Sequence, residues 1–195
     1  GYSLQNGNTS RILQGLGADV HNINLFWLAA PLAGLFVQPI IGLSSDKTWT
    51  KLGRRLPFIF FGALASALAM YFMPNAQYFA YLFPPLMFGA AMLLFMDTSF
   101  NVTMQPFRAL VGDMLNDEQK NLGFSLQSVL INIGAVFGSL LPIILTAIGV
   151  ANVPTKKGEV ADSVIWSFYI GGTVLLVAVL WTVFNVFVLG MLALD

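Results

Sequence analysis

Four stretches of this 195-residue chain, 22–45, 56–96, 121–155 and 163–194, contain no Asp, Glu, Lys or Arg. Crossing the hydrocarbon core of a bilayer takes about 20 apolar residues, so each stretch is long enough to span one. The 41-residue run 56–96 is long enough for two spans, and Pro74-Asn75-Ala76-Gln77 in its middle supplies a turn between them. Five spans are thereby predicted, near 23–43, 57–74, 78–100, 122–148 and 164–192. The chain is 57% hydrophobic and only 9% charged, against roughly 25% charge in a soluble domain. These values exclude a soluble globular fold and leave an all-α transmembrane protein. Nine basic residues balance nine acidic ones, so no overall field attracts nucleic acid. Cysteine is absent, which removes disulfides, thiolate metal sites and cysteine nucleophiles.

Residues 1–16 are less apolar but carry no charge apart from Arg11, and they read as the outer part of a first span. Orientation follows from the placement of Lys and Arg. The connector 44–56 holds Lys47, Lys51, Arg54 and Arg55, and 101–121 holds Arg108 and Lys120. The connectors on the other side, 17–22, 74–77 and 149–162, hold only Lys156 and Lys157. Six against two places 44–56 in the cytoplasm, so a multi-pass protein of the cell (inner) membrane is expected, with both ends of the six-span unit cytoplasmic. Trp27, Tyr78, Tyr81, Trp166 and Tyr169 all fall near the predicted outer boundary, where amphipathic rings settle.

Polar residues inside spans are costly in lipid and face a cavity or a partner helix. They gather in three places. In the first span Gln5, Asn8 and Arg11 recur every third residue, beside Asn6 and Ser10. In the fourth, Asp97 and Asn101 are one helical turn apart, with Thr98 and Ser99 between them. In the fifth, Ser125, Ser128 and Asn132 align at offsets of three and four beside Gln127. Hydroxyls and amides of this kind also simply join neighbouring helices, worth about 0.6 kcal/mol each. Asp97 stands apart: a charge at mid-helix costs about 2.5–3.5 kcal/mol, so an aspartate there must be protonated, paired or in contact with water. A carboxyl group whose protonation depends on which side its cavity opens is suited to carrying a coupled proton. Arg11 is its partner if the first span packs against the fourth.

The connector 42–55 reads GLSSDKTWTKLGRR. Its Gly42 and Asp46, followed by Gly53, Arg54 and Arg55, resemble the loop between the second and third helices of the major facilitator superfamily. The longer spacing, and the run Arg54-Arg55-Leu56-Pro57, resemble the plant sucrose transporters and the related glycoside-pentoside-hexuronide cation symporters. Leu56 stands where that group commonly has a third Arg. Trp27-Leu28, Pro31, Gly34-Leu35 and Val37-Gln38-Pro39 in the preceding helix are similar to the same group. So are Asp97, Asn101, Pro106, Arg108-Ala109-Leu110 and Asp113.

This resemblance implies the N-terminal half of a major facilitator fold, a six-helix bundle made of two inverted three-helix repeats, 1–77 and 78–195, with the C-terminal six-helix half absent. It implies alternating-access, proton-coupled symport of a disaccharide or other glycoside. Sugar, protons, the lipid bilayer and the second half are then the partners. Carried over by position, Asp97 is the proton-coupling carboxylate, and Gly42, Asp46, Gly53, Arg54, Arg55, Arg108 and Asp113 form a conformational latch. In such repeats the site lies near the bilayer midplane, and the first and fourth spans become equivalent. These two are also the most polar, which by itself suggests that Gln5, Asn8, Asp97 and Asn101 line a cavity. Gln127 and Asn132 join them as sugar-binding amides, because sugars need many hydroxyl partners. No phosphate loop, metal cluster or nucleophile–base pair is present, so neither enzyme chemistry nor a cofactor is expected. The competing classes are a major facilitator carrier for another small solute and a membrane scaffold or channel whose polar groups only join helices.

Overall fold

The computed structural model describes residues 2–17, 23–50, 53–79, 84–153 and 159–192. They form six α-helices: α1 (Tyr2–Gly15), α2 (Ile23–Lys47), α3 (Leu56–Phe72), α4 (Pro85–Met114), α5 (Asp117–Ala147) and α6 (Asp162–Leu192). A 3-10 segment, Met73–Phe79, extends α3. The described residues contain no strand. Lys51, Tyr81, Lys156 and Lys157, used above for orientation, lie outside the described residues. Four segments, Leu56–Phe79, Pro85–Met114, Asp117–Ala147 and Asp162–Val186, are each long and apolar enough to cross a membrane. This is a multi-pass membrane architecture.

Its centre is α4, which packs against α1, α2, α3 and α5, while α6 covers α3 and α5. The apolar core joins Leu4, Ile12 and Leu13 of α1 to Met70 of α3, Leu93, Met96 and Phe100 of α4, and Val164 and Phe168 of α6. On α3 the buried positions Ile59, Ala63, Ser66, Ala67 and Met70 recur at three- and four-residue intervals. One stripe of this uniformly apolar helix therefore faces protein.

Close approach between helices is set by glycines that the sequence pattern does not single out. A Cβ on Gly62 of α3 would lie 2.5 Å from Thr103 Oγ1 and 3.0 Å from the Thr103 backbone nitrogen. Gly134 of α5, four residues before Gly138, is different: a Cβ added there would meet nothing within 4 Å, and the same holds for Gly42. Small residues permit approach but do not choose the partner, and much of α5 is exposed around Gly134. Gly62→Ala is therefore expected to destabilise the bundle by about 1–3 kcal/mol through overpacking. Thermal unfolding in detergent, with Gly134→Ala as a near-neutral control, checks this.

Two span limits differ from expectation. The fourth helix begins at Pro85 rather than 78, because the chain first tightens into the 3-10 segment, where Asn75 leaves helical geometry at φ −98°, ψ 16°. At its other end α4 continues to Met114 instead of stopping at 100, so the expected connector 101–121 reduces to Leu115 and Asn116. Charge marks the end of the hydrocarbon, not of the helix. Polar residues in the last apolar turns bond within α4, as Thr103 Oγ1 does to the Ser99 carbonyl at 2.9 Å, and Pro106 is accommodated inside it.

Candidate functional site

The polar groups of α1 and α4 meet where the two helices cross. Gln5 and Asp97 are each 1% exposed, and Gln5 Nε2 donates a hydrogen bond to Asp97 Oδ1. Asn8, Thr9, Ser99, Asn101 and Thr103 are buried on the same two helices. Met96 and Phe100, both part of the apolar core, flank Asp97 along α4. The carboxyl group is therefore closed off from water in this arrangement.

Most neighbouring polar side chains are satisfied locally. Asn8 Nδ2 donates to the Leu4 carbonyl at 3.0 Å and Thr9 Oγ1 to the Gln5 carbonyl at 2.6 Å. Asn101 Nδ2 donates to the Asp97 carbonyl at 2.9 Å. Its own Oδ1 accepts from Gln38 Nε2 of α2 at 2.7 Å. Asp97 and Asn101 thus connect α4 to α1 and α2, one turn apart. Gln38 enters the sequence reading only within the Val37-Gln38-Pro39 resemblance, and its place at the site comes from the structure. Within the charge-free run 22–45 it is one amide of three, with Asn22 and Asn24, and no helical repeat ties it to them, whereas Asn8 is marked by its three-residue repeat with Gln5 and Arg11. Gly34 leaves room beside it: a Cβ there would lie 3.3 Å from Gln38 Nε2.

Asp97 makes no ion pair among the described residues. Helix α1 does pack on α4, but Arg11 points elsewhere: it is exposed, and its guanidinium donates to Asn152 Oδ1 at 2.8 Å and to the Asn152 carbonyl at 3.3 Å. Each three-residue step on a helix falls about 60° short of a full turn, so Arg11 has rotated well away from the direction of Gln5. Asn152 Oδ1 also accepts from Ser163 Oγ at 2.9 Å, tying α1 to the start of α6 at that end of the bundle.

Gln127 and Asn132 lie on the open part of α5. Asn132 is exposed and donates to the Ser128 carbonyl of its own helix at 2.8 Å. Gln127 is half-buried, and its Nε2 has no partner among the described residues. No hydrogen bond joins either to the Gln5–Asp97 pair among the described residues.

At the basic end, three elements converge on Arg55. Its Nε lies 2.5 Å from Asp113 Oδ2 at the end of α4, and its Nη1 lies 3.3 Å from Asp46 Oδ1 at the end of α2. Arg54 sits 4.0 Å from Asp113 and over the Trp49 ring, 5.2 Å from its centroid. The turn that delivers both arginines uses Gly53 at φ +89°, where a side chain would be strained. Gly53 N donates to the Thr50 carbonyl at 2.9 Å, and Thr50 Oγ1 to the Gly53 carbonyl at 2.7 Å. Arg108 is exposed and outside this cluster, with no ion pair among the described residues. Of the seven latch positions, Asp46, Gly53, Arg54, Arg55 and Asp113 are brought together; Gly42 borders them through Ser45 Oγ, which donates to its carbonyl at 3.0 Å.

The arrangement provides an enclosed carboxyl group among neutral amides, on the central helix of a membrane bundle, with a charged clasp at one end. Comparison with known proteins agrees with a carrier. Residues 1–189 match the family model described as Major Facilitator Superfamily. Sucrose transport protein SUC4 of Arabidopsis thaliana is 34% identical over 129 residues, 62% of this chain and 25% of that protein. The General alpha-glucoside permease of Schizosaccharomyces pombe is 29% identical over 149 residues, 72% of this chain and 27% of the permease. Sucrose transport protein SUT5 of Oryza sativa subsp. indica is 30% identical over 156 residues, 72% of this chain and 29% of that protein. The chain spans about a quarter of the length of the curated relatives it matches.

Proposed function

For this chain, which belongs to the Major Facilitator Superfamily and is a transporter rather than an enzyme, we propose proton-coupled symport of a sugar by alternating access. The substrate is a glycoside such as sucrose or another α-glucoside, in keeping with what the matched relatives are named for. The single observation that carries the reading is the buried Asp97, a lone acid held by an amide of α1 on the helix that contacts most of the bundle. Such an acid is tolerable in a membrane when its charge comes and goes with solute and water.

In this reading residues 1–77 and 78–195 are inverted three-helix repeats, so α1 and α4 are equivalent helices meeting at the site. The basic end faces the cytoplasm, since Lys47, Arg54, Arg55, Arg108 and Lys120 lie there. The unit works with a second six-helix half in the cell membrane, and sugar occupies the cavity between them. Gln5, Asn8, Gln38 and Asn101 offer amides to its hydroxyls. Gln127 and Asn132 reach it from the open face of α5. The Asp46–Arg55–Asp113 clasp closes the cytoplasmic end while the site faces outward.

Reconstituting the full-length carrier in vesicles and following labelled sucrose tests the substrate class. Saturable uptake that other α-glucosides compete for is expected. Uptake that rises linearly with concentration, or that no α-glucoside inhibits, rejects it.

A further inference from the structure

Gln5 and Asp97 make one hydrogen bond and leave two atoms unmatched. Gln5 Nε2 donates to Asp97 Oδ1, whereas Gln5 Oε1 and Asp97 Oδ2 are both buried without a partner among the described residues. An ionised carboxylate and an amide oxygen only accept, so neither satisfies the other. A single proton on Asp97 Oδ2 removes both deficits, because the new hydroxyl donates to Gln5 Oε1. The acid and the amide then face each other through two antiparallel hydrogen bonds, one in each direction.

We propose that Gln5 is the positioning residue for the transported proton: protonated Asp97 forms a two-bond acid–amide pair with it, which fastens α1 to α4. Loss of the proton leaves one bond and two opposed acceptors, and so loosens the two helices at the site. This rests on the reading of Asp97 as the proton carrier. The step forms one O–H bond at Oδ2 from a proton of the entry side and breaks it on release to the other. No electrons are exchanged and no co-reactant is required.

The other charged groups of the packed elements lie away from the pair. On α1, Arg11 is occupied by Asn152. Asp46 and Lys47 end α2, and Arg54 and Arg55 precede α3, all at the basic end. On α4, Arg108 and Asp113 follow Asp97 by eleven and sixteen residues. Asp117, Glu118 and Lys120 open α5, and Glu159 and Asp162 adjoin the start of α6. Among the described residues no group of three or more acidic or histidine side chains could hold a metal ion in place of the proton.

Infrared difference spectroscopy of the full-length carrier in vesicles, titrated with pH, tests the pairing. Wild type is expected to show a protonated carboxyl stretching band that Asp97→Asn removes. Gln5→Leu is expected to move that band to higher frequency, as the acid loses its acceptor. In the near-isosteric Gln5→Glu, two carboxyls face each other, and the pH profile of sugar uptake should divide into two steps more than about one pH unit apart. A band that disappears in Asp97→Asn but stays in place in Gln5→Leu, or a single-step profile in Gln5→Glu, overturns the pairing and leaves proton carriage by Asp97 standing. Wild type with no band sensitive to Asp97→Asn overturns proton carriage itself.

Discussion

Asp97→Asn carrier, given an inward proton gradient, brings sugar to the same concentration on both sides of a vesicle and no further. The parent protein accumulates it. One pH unit is worth about 1.36 kcal/mol per proton, so tight one-to-one coupling supports roughly tenfold accumulation, and the variant should fall to onefold. Folding survives because asparagine has the shape of the acid it replaces. Its oxygen still accepts from Gln5 Nε2, and its amide donates to Gln5 Oε1, so both unmatched atoms of the native site find partners. The variant resembles a permanently protonated carrier. It should therefore still exchange labelled for unlabelled sugar across the membrane. Accumulation above onefold in this variant contradicts the role given to Asp97.

Arg55→Ala should release the basic end. Arg55 is 12% exposed in its side chain and bridges Asp113 at 2.5 Å and Asp46 at 3.3 Å, whereas those acids are 45% and 56% exposed. Solvent screening holds each such contact to about 1 kcal/mol or less. Removing both, and leaving two aspartates around the gap, is expected to shift the conformational balance by about 1–1.4 kcal/mol, or five- to tenfold. This chain contains no cysteine, so once any cysteine elsewhere in the carrier is replaced by serine, a single introduced thiol reports on this end. Ser45, fully buried and adjacent to Asp46, accepts a near-isosteric Ser45→Cys substitution as a reporter. Its labelling from the cytoplasmic side should accelerate five- to tenfold when Arg55→Ala is added. An unchanged rate means that the cluster anchors a loop without controlling access.

Hydropathy and charge make most of this architecture legible, because absent charges delimit spans whatever the packing. Helices α2, α3, α5 and α6 lie largely where the charge-free stretches do, and the family resemblance carried by Gly53-Arg54-Arg55 and Asp97 agrees with the match over residues 1–189. What periodicity leaves out is height and partner. A three-residue repeat places Arg11 with Gln5 and Asn8, but its long side chain reaches Asn152 on the α5–α6 connection. Arg108 and Asp113 look like neighbours in one latch, yet Asp113 belongs to Arg55, fifty-eight positions earlier, and such a contact has no local signature. Gln38 escapes for a different reason. One amide among apolar residues has no periodicity to reveal it, and its meaning comes only from Asn101 across the helix boundary. The expected start of α4 falls too early because no charge separates 74–77 from the helix that follows, so composition cannot distinguish a turn from an apolar helix there.

Proton entry measured together with sugar entry tests the central claim most directly. Full-length carrier is reconstituted into vesicles that hold a pH-sensitive dye, in sodium-free buffer, and sucrose is added outside without any imposed gradient. The account predicts acidification of the lumen with one proton for each sugar, and none with Asp97→Asn. Sugar entry with an unchanging lumenal pH, or entry that begins only when sodium is supplied, would contradict it.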